Sequence, residues 1–186
     1  MEQTIVLGHS SLVWRRAVAA VLGAALVAAA AQVAVPLPGT PVPLTLQPLA
    51  VLIVGGLLGP WLGASSLILY LALGAAGLPV FTPVGLPGVL RLIGPTGGFL
   101  LAYPLAAYAV GRLSGDGRST ARITLAALGG LTLVYLGGLA QLLLLTGSIG
   151  MAARFGTLPF LIPDLIKLGA AVLILRPTIR PVRARL

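Results

Sequence analysis

From Pro159 to Arg176 the chain reads Pro-Phe-Leu-Ile-Pro-Asp-Leu-Ile-Lys-Leu-Gly-Ala-Ala-Val-Leu-Ile-Leu-Arg, an apolar run holding one acid, Asp164, and one base, Lys167. At about 1.5 Å per residue a helix of this length covers roughly 27 Å, close to the hydrocarbon thickness of a bilayer. The acid and the base are three apart and share a helix face. Ionisable groups at membrane depth are costly, so they turn toward a protein interior or a watery cavity and mark a functional site by default.

The rest of the chain fits a membrane protein. Of 186 residues 58% are hydrophobic and 8% charged, against about 25% charged in soluble domains. The mean hydropathy is +1.09. The net charge of +9 does not indicate nucleic acid, because the basic residues punctuate apolar runs and do not gather on one surface. There are no cysteines, one histidine (His9) and three acids (Glu2, Asp116, Asp164), which leaves no metal cluster and no cofactor to expect. His9 reads as a solvated residue of a short lead, Met1–Val13.

Six apolar runs predict six membrane spans, at about 16–35, 48–59, 61–77, 95–112, 122–145 and 159–176. They form one domain, 1–186, of an all-α integral membrane protein. Trp14-Arg15-Arg16 precedes the first run and favours a cytoplasmic start. That run is too long for a signal h-region, although Ala29–Ala31 offers small residues of the kind cleaved there. With both termini cytoplasmic, Arg15, Arg16, Arg112, Arg118, Arg122, Arg176, Arg180, Arg183 and Arg185 fall inside, and only Arg91 and Arg154 fall outside.

Ala20, Ala24 and Ala28 recur every four residues, as do Ala17, Val21 and Ala25. Small residues at that spacing let another helix approach closely. The partner is either a helix of this chain or a second membrane protein. Gly129, Gly130, Gly137 and Gly138 make a similar packing face in the fifth run.

Two connections stand out. Pro36–Pro48 has five prolines in thirteen residues, so it reads as stiff, extended chain. It is too apolar for a solvated tether and should pack over something, with Thr45 and Gln47 facing one side. Leu78–Ile93 is long enough for a lid or binding loop and carries Arg91 against the charge bias, a candidate to hold a carboxylate. Gly94-Pro-Thr-Gly-Gly98 brings Thr96 and Gly97 to a helix start, where backbone N–H groups can receive an anion. It lacks the Gly-Lys-Ser/Thr ending of a P-loop. Tyr70 is either an interfacial belt residue or a pocket wall, while Ser65 and Ser66 should bond back to their own helix.

The pair itself has two readings. Pro163 suits a first turn, which puts Asp164 near the positive end of the helix dipole and lets Lys167 simply neutralise it. Alternatively, the carboxylate accepts and the ammonium donates hydrogen bonds to a ligand that carries both N–H and C=O groups, such as a cyclic urea.

Thr40-Pro-Val-Pro-Leu-Thr-Leu-Gln47, Tyr70-Leu-Ala-Leu-Gly-Ala-Ala-Gly-Leu-Pro-Val-Phe81, Gly94-Pro-Thr-Gly-Gly98 and Pro159-Phe-Leu-Ile-Pro-Asp-Leu-Ile-Lys167 resemble the signature segments of the BioY family. Its members are the biotin-specific substrate-binding (S) components of energy-coupling factor transporters. The resemblance implies a six-helix S-component fold in a prokaryotic plasma membrane. It also implies biotin captured near the outer surface, and a transmembrane coupling protein driven by two ATPase subunits. Asp164 and Lys167 match the family's acid and base at the ligand's polar ring. Thr45 and Gln47 match the loop that closes over it. The alanine face of Ala20, Ala24 and Ala28 matches the docking surface for the coupling protein. Thr82-Pro83 departs from the small or amide residues of relatives. Charge and backbone donors assign Arg91, Thr96 and Gly97 to the biotin carboxylate, with Tyr70 beside them in the ligand-binding set. No Walker motif is present, so ATP hydrolysis belongs to a partner. The alternatives are a self-sufficient biotin transporter and an S component for another vitamin. An enzyme lacks the necessary nucleophile–base pair or paired acids.

Overall fold

The computed structural model describes residues 2–186, with side chains from Leu12 onward. The side chains of Glu2 and His9 lie outside the described residues. The described residues fold into eight helices and one short ribbon. They are α1 (Glu2–Gln32), β1 (Ala34–Val35), β2 (Leu44–Thr45), α2 (Gln47–Leu58), α3 (Pro60–Ala75), α4 (Leu90–Ile93), α5 (Gly97–Leu113), α6 (Thr120–Thr146), α7 (Ile149–Gly156) and α8 (Leu161–Arg183).

The departures from the sequence reading have local causes. The expected lead is helical, since α1 begins at Glu2 and not near residue 16. It ends at Gln32 because the chain turns extended ahead of Pro36. Ala34 and Val35 then pair antiparallel with Thr45 and Leu44. The proline-rich connection is therefore pinned as a ribbon, and the fold is not purely helical. α8 continues through Pro177 and Pro181 to Arg183, so Arg176, Arg180 and Arg183 sit on a helix and not in a tail. The connections ahead of α5 and α8 contain α4 and α7, which shortens the irregular chain expected there.

By length and apolarity, Leu12–Gln32 and α6 can each cross a membrane, and α7 with α8, bent by 52° at their junction, makes a third candidate. α2 and α3 are apolar but shorter.

α5 packs between α2, α3 and α6 at close range. A Cβ on Gly98 would run into the Gly137 carbonyl of α6, and one on Gly111 into the Gly59 backbone at the end of α2. Such approaches are possible only where no side chain intervenes. Gly130 and Gly138 meet Val110 and Phe99 of α5, as the glycine spacing predicts, whereas Gly129 has only Leu113 at van der Waals distance. Ser65 and Ser66 donate back to Trp61 and Leu62 carbonyls, 2.9 and 3.0 Å away.

One buried cluster joins α1, α2, α3 and α5 through Val27, Val51, Leu67 and Ala106. A second joins α2, α6 and α8 through Leu52, Ile123, Leu168 and Leu175. A third lies under the proline-rich ribbon, where Val42 meets Leu142, Ala152 and Phe160. Thr40 Oγ1 donates to the Phe155 carbonyl at 2.6 Å, which ties the ribbon to α7.

Candidate functional site

The site lies where α2, α5 and α8 begin and the connection after α3 returns. α8 starts behind Phe160, and the Asp164 amide donates to the Phe160 carbonyl at 2.8 Å. This first turn aims the Asp164 and Lys167 side chains inward, leaving them 5% and 8% exposed. Lys167 Nζ donates to Asp164 Oδ1 at 2.7 Å. Tyr135 of α6 donates its hydroxyl to Asp164 Oδ2, also at 2.7 Å. Both carboxylate oxygens are thus matched, which is what a buried charge requires.

A second polar cluster forms where the ribbon enters α2. Thr45 Oγ1 donates to Gln47 Oε1 at 3.2 Å, and Gln47 Nε2 donates to the Tyr70 hydroxyl at 2.7 Å. Tyr70 is fully buried and meets Phe81 edge-on, with ring centroids 5.4 Å apart. Phe81 sits over Gly74, the only kind of residue that leaves room for the ring.

The third cluster is built on Arg91. Its Nη1 donates to Thr82 Oγ1 (2.8 Å) and the Val84 carbonyl (2.6 Å), and its Nη2 donates to the Thr82 carbonyl (2.7 Å). These bonds shape the connection after α3. Its Nε is buried without a hydrogen-bond partner. Burial pulls this guanidinium below its ordinary value, yet Arg stays charged in proteins. A buried, uncommitted N–H on a cation is costly unless an acceptor reaches it.

These clusters line one cavity of about 50 Å³ together with Phe81, Phe99, Tyr103, Val134 and Phe160. Among the sequence-derived ligand residues, Asp164, Lys167, Thr45, Gln47, Arg91 and Thr96 line it. Tyr70 and Gly97 do not. Tyr70 stands behind Gln47, and Gly97 faces the Leu92 carbonyl and Gln141. Thr82 is on the wall as well.

The aromatic lining escaped the sequence reading, though a signal exists. Phe99 and Tyr103 are four apart on one face of α5. Tyr135 lies well inside α6, too deep for an interfacial belt. Among the described residues no three His, Cys, Asp or Glu side chains could hold a metal ion together.

The three alanines of the expected docking stripe differ in exposure. Ala24 is 3% exposed and belongs to the core, with Ala28 partly buried against it. Ala20 is half-buried. This face of α1 is used for packing on α2 and α3. The companion stripe of Ala17, Val21 and Ala25 is the exposed one.

The chain is 41% identical over 150 residues to the probable biotin transporter BioY of Pyrococcus horikoshii, covering 81% of this chain and 87% of that one. It is 36% identical over 160 residues to the biotin transporter BioY of Thermotoga maritima, covering 86% and 93%. Its fold superposes on the crystal structure of the S-component for biotin from an ECF-type ABC transporter with a TM-score of 0.79 and 26% identity, covering 88% of this chain and 89% of that one. The sequence model of the BioY family matches residues 2–184. With agreement over nearly its whole length in both sequence and fold, the chain belongs to the BioY family.

Proposed function

We propose that this protein is the biotin-capturing membrane subunit of a vitamin uptake transporter, working as the S component of an energy-coupling factor system. The family is one of transporters and not of enzymes. The observation that carries the reading for this chain is the cavity between α2, α5, α6 and α8, with a buried acid, a buried base and a buried guanidinium on an otherwise aromatic wall.

The chemistry of biotin suits that wall. The ureido ring has two N–H donors and one carbonyl. Asp164 accepts from the former, and Lys167, which spends one of its three N–H donors on Asp164, donates to the latter, while Tyr135 holds Asp164 in place. Gln47 and Thr45 close the same end from the ribbon. The thiophane ring and the aliphatic chain lie against Phe81, Phe99, Tyr103 and Val134. The carboxylate meets Arg91 Nε and Thr96. Tyr70 and Gly97 then support the site from behind and make no direct contact.

In this reading residues 1–186 form one domain of six spans, α1, α2, α3, α5, α6 and α8, with α4 and α7 at the outer surface. Nine arginines inside against two outside set both termini in the cytoplasm of a prokaryotic plasma membrane. The sequence carries no Walker motif, so in this reading ATP is hydrolysed by two ATPase subunits that act through a transmembrane coupling protein. Docking of the coupling protein falls to the α1 face that carries Ala20, Ala24 and Ala28, with the neighbouring exposed stripe Ala17, Val21 and Ala25 widening the surface it meets.

Calorimetry of the purified chain in detergent tests the ligand. Tight biotin binding, with riboflavin and thiamine silent, is the expected result. A folded protein that ignores biotin overturns the proposal.

A further inference from the structure

The cavity is at one end of the bundle. At the other end, where α2 ends, α3 begins and α8 finishes, two grooves flank a bridge between α1 and α8. The bridge is Arg16, whose Nε donates to the Leu186 carbonyl at 2.8 Å. One groove, of about 460 Å³, passes Trp61 and Arg183. Both its arginines are engaged, Arg16 in the bridge and Arg183 through bonds donated to the carbonyls of Gly56, Gly111 and Gly115 and to Ser114.

The other groove, of about 570 Å³, runs between Trp14, Arg15, Val18 and Leu22 of α1 and Arg185 beyond α8. Arg15 and Arg185 are exposed. Among the described residues the ion pairs are Arg118–Asp116 and Lys167–Asp164, and neither involves a groove arginine; Leu186 also lines this groove. Trp14 and Leu22 are 69% and 63% exposed. From the two cations, open apolar surface climbs α1 through Val18, Leu22 and Leu26 toward the middle of the bundle.

We infer that this groove holds an anionic glycerophospholipid. The phosphate sits between Arg15 and Arg185, an acyl chain lies along Val18 and Leu22, and Trp14 packs at the headgroup level. Guanidinium groups bind phosphate bidentately, and, with this end cytoplasmic as in the topology proposed above, a basic pocket between membrane helices there selects anionic headgroups. A soluble acidic segment would meet the arginines but would leave the apolar strip above them uncovered. The lipid answers both halves of the groove.

Native mass spectrometry of the detergent-purified chain tests this, with phosphatidylglycerol and phosphatidylcholine of matched acyl chains offered in equal amounts. Wild type retains phosphatidylglycerol at least fivefold over phosphatidylcholine. Arg15→Gln combined with Arg185→Gln abolishes that preference, and Arg112→Gln with Arg118→Gln leaves it intact. Val18→Trp fills the groove while keeping its charge and also lowers lipid occupancy, which covers the case of a double variant that folds poorly. Equal retention of the two lipids by wild type overturns the inference. So does full selectivity in the double variant, or groove arginines that matter only for capturing the coupling protein. The readout is independent of biotin, so it stands or falls apart from the transport proposal.

Discussion

Tyr135 and Lys167 grip opposite oxygens of one carboxylate: the tyrosine hydroxyl is 2.7 Å from Asp164 Oδ2, and the Lys167 ammonium is 2.7 Å from Oδ1. The tyrosine comes from α6, and the acid and base from the first turns of α8. The trio therefore joins two helices as well as facing the cavity, and its members should fail in different ways.

Lys167→Ala strands a buried carboxylate. Breaking a buried pair from one side costs about 3–5 kcal/mol, so both thermal stability and biotin affinity should fall. Asp164→Asn combined with Lys167→Met removes both charges. It should recover most of the melting temperature and none of the affinity. A double variant that binds biotin normally would return the pair to a purely structural role.

Tyr135→Phe keeps the ring and loses one hydrogen bond. Its affinity should drop by about 0.5–1.5 kcal/mol, a few-fold to roughly tenfold in Kd, as titration calorimetry would read. A loss no larger than experimental scatter would mean that the ligand does not use this end of the cavity.

Gln47 and Tyr70 offer a ranked test. Gln47 is on the wall, and Tyr70 only holds it. Gln47→Leu should weaken binding more than Tyr70→Phe. The reverse order in binding assays would place Tyr70 in contact with the ligand.

Arg91 is best tested from the ligand side. Wild type should prefer biotin to biotin methyl ester by at least tenfold, which corresponds to about 1.4 kcal/mol. Arg91→Met should bind both weakly and nearly equally, because the cation that tells them apart is gone. A preserved preference in that variant would assign the carboxylate to other donors.

On α1 the two alanine stripes should separate. Ala24→Leu overpacks a core position, at a cost of about 1–3 kcal/mol, visible as a lower melting temperature. Ala17→Trp and Ala25→Trp point outward and should leave stability and biotin binding unchanged while stopping uptake in cells. Normal uptake in both would place the coupling protein elsewhere.

The sequence by itself determined what depends on local order along the chain. Hydrophobic runs and their breaks located α2, α3, α5 and α6 to within a few residues, because apolar length and Pro or Gly punctuation act locally. The spacing of Asp164 and Lys167 put them on one face for the same reason. The glycines of α6 announced a close neighbour without saying which. Tertiary structure decided the rest. Which of two alanine stripes turned inward depended on where α2 and α3 lay, and both stripes have the same period. Whether Tyr70 met a ligand or only braced Gln47 was a matter of a second layer of packing. The contacts of Tyr135, Phe99 and Tyr103 with the cavity join α5 and α6 to residues of α8 and the ribbon. Proximity across such distances in sequence is a property of the assembled bundle, since no single helix carries it.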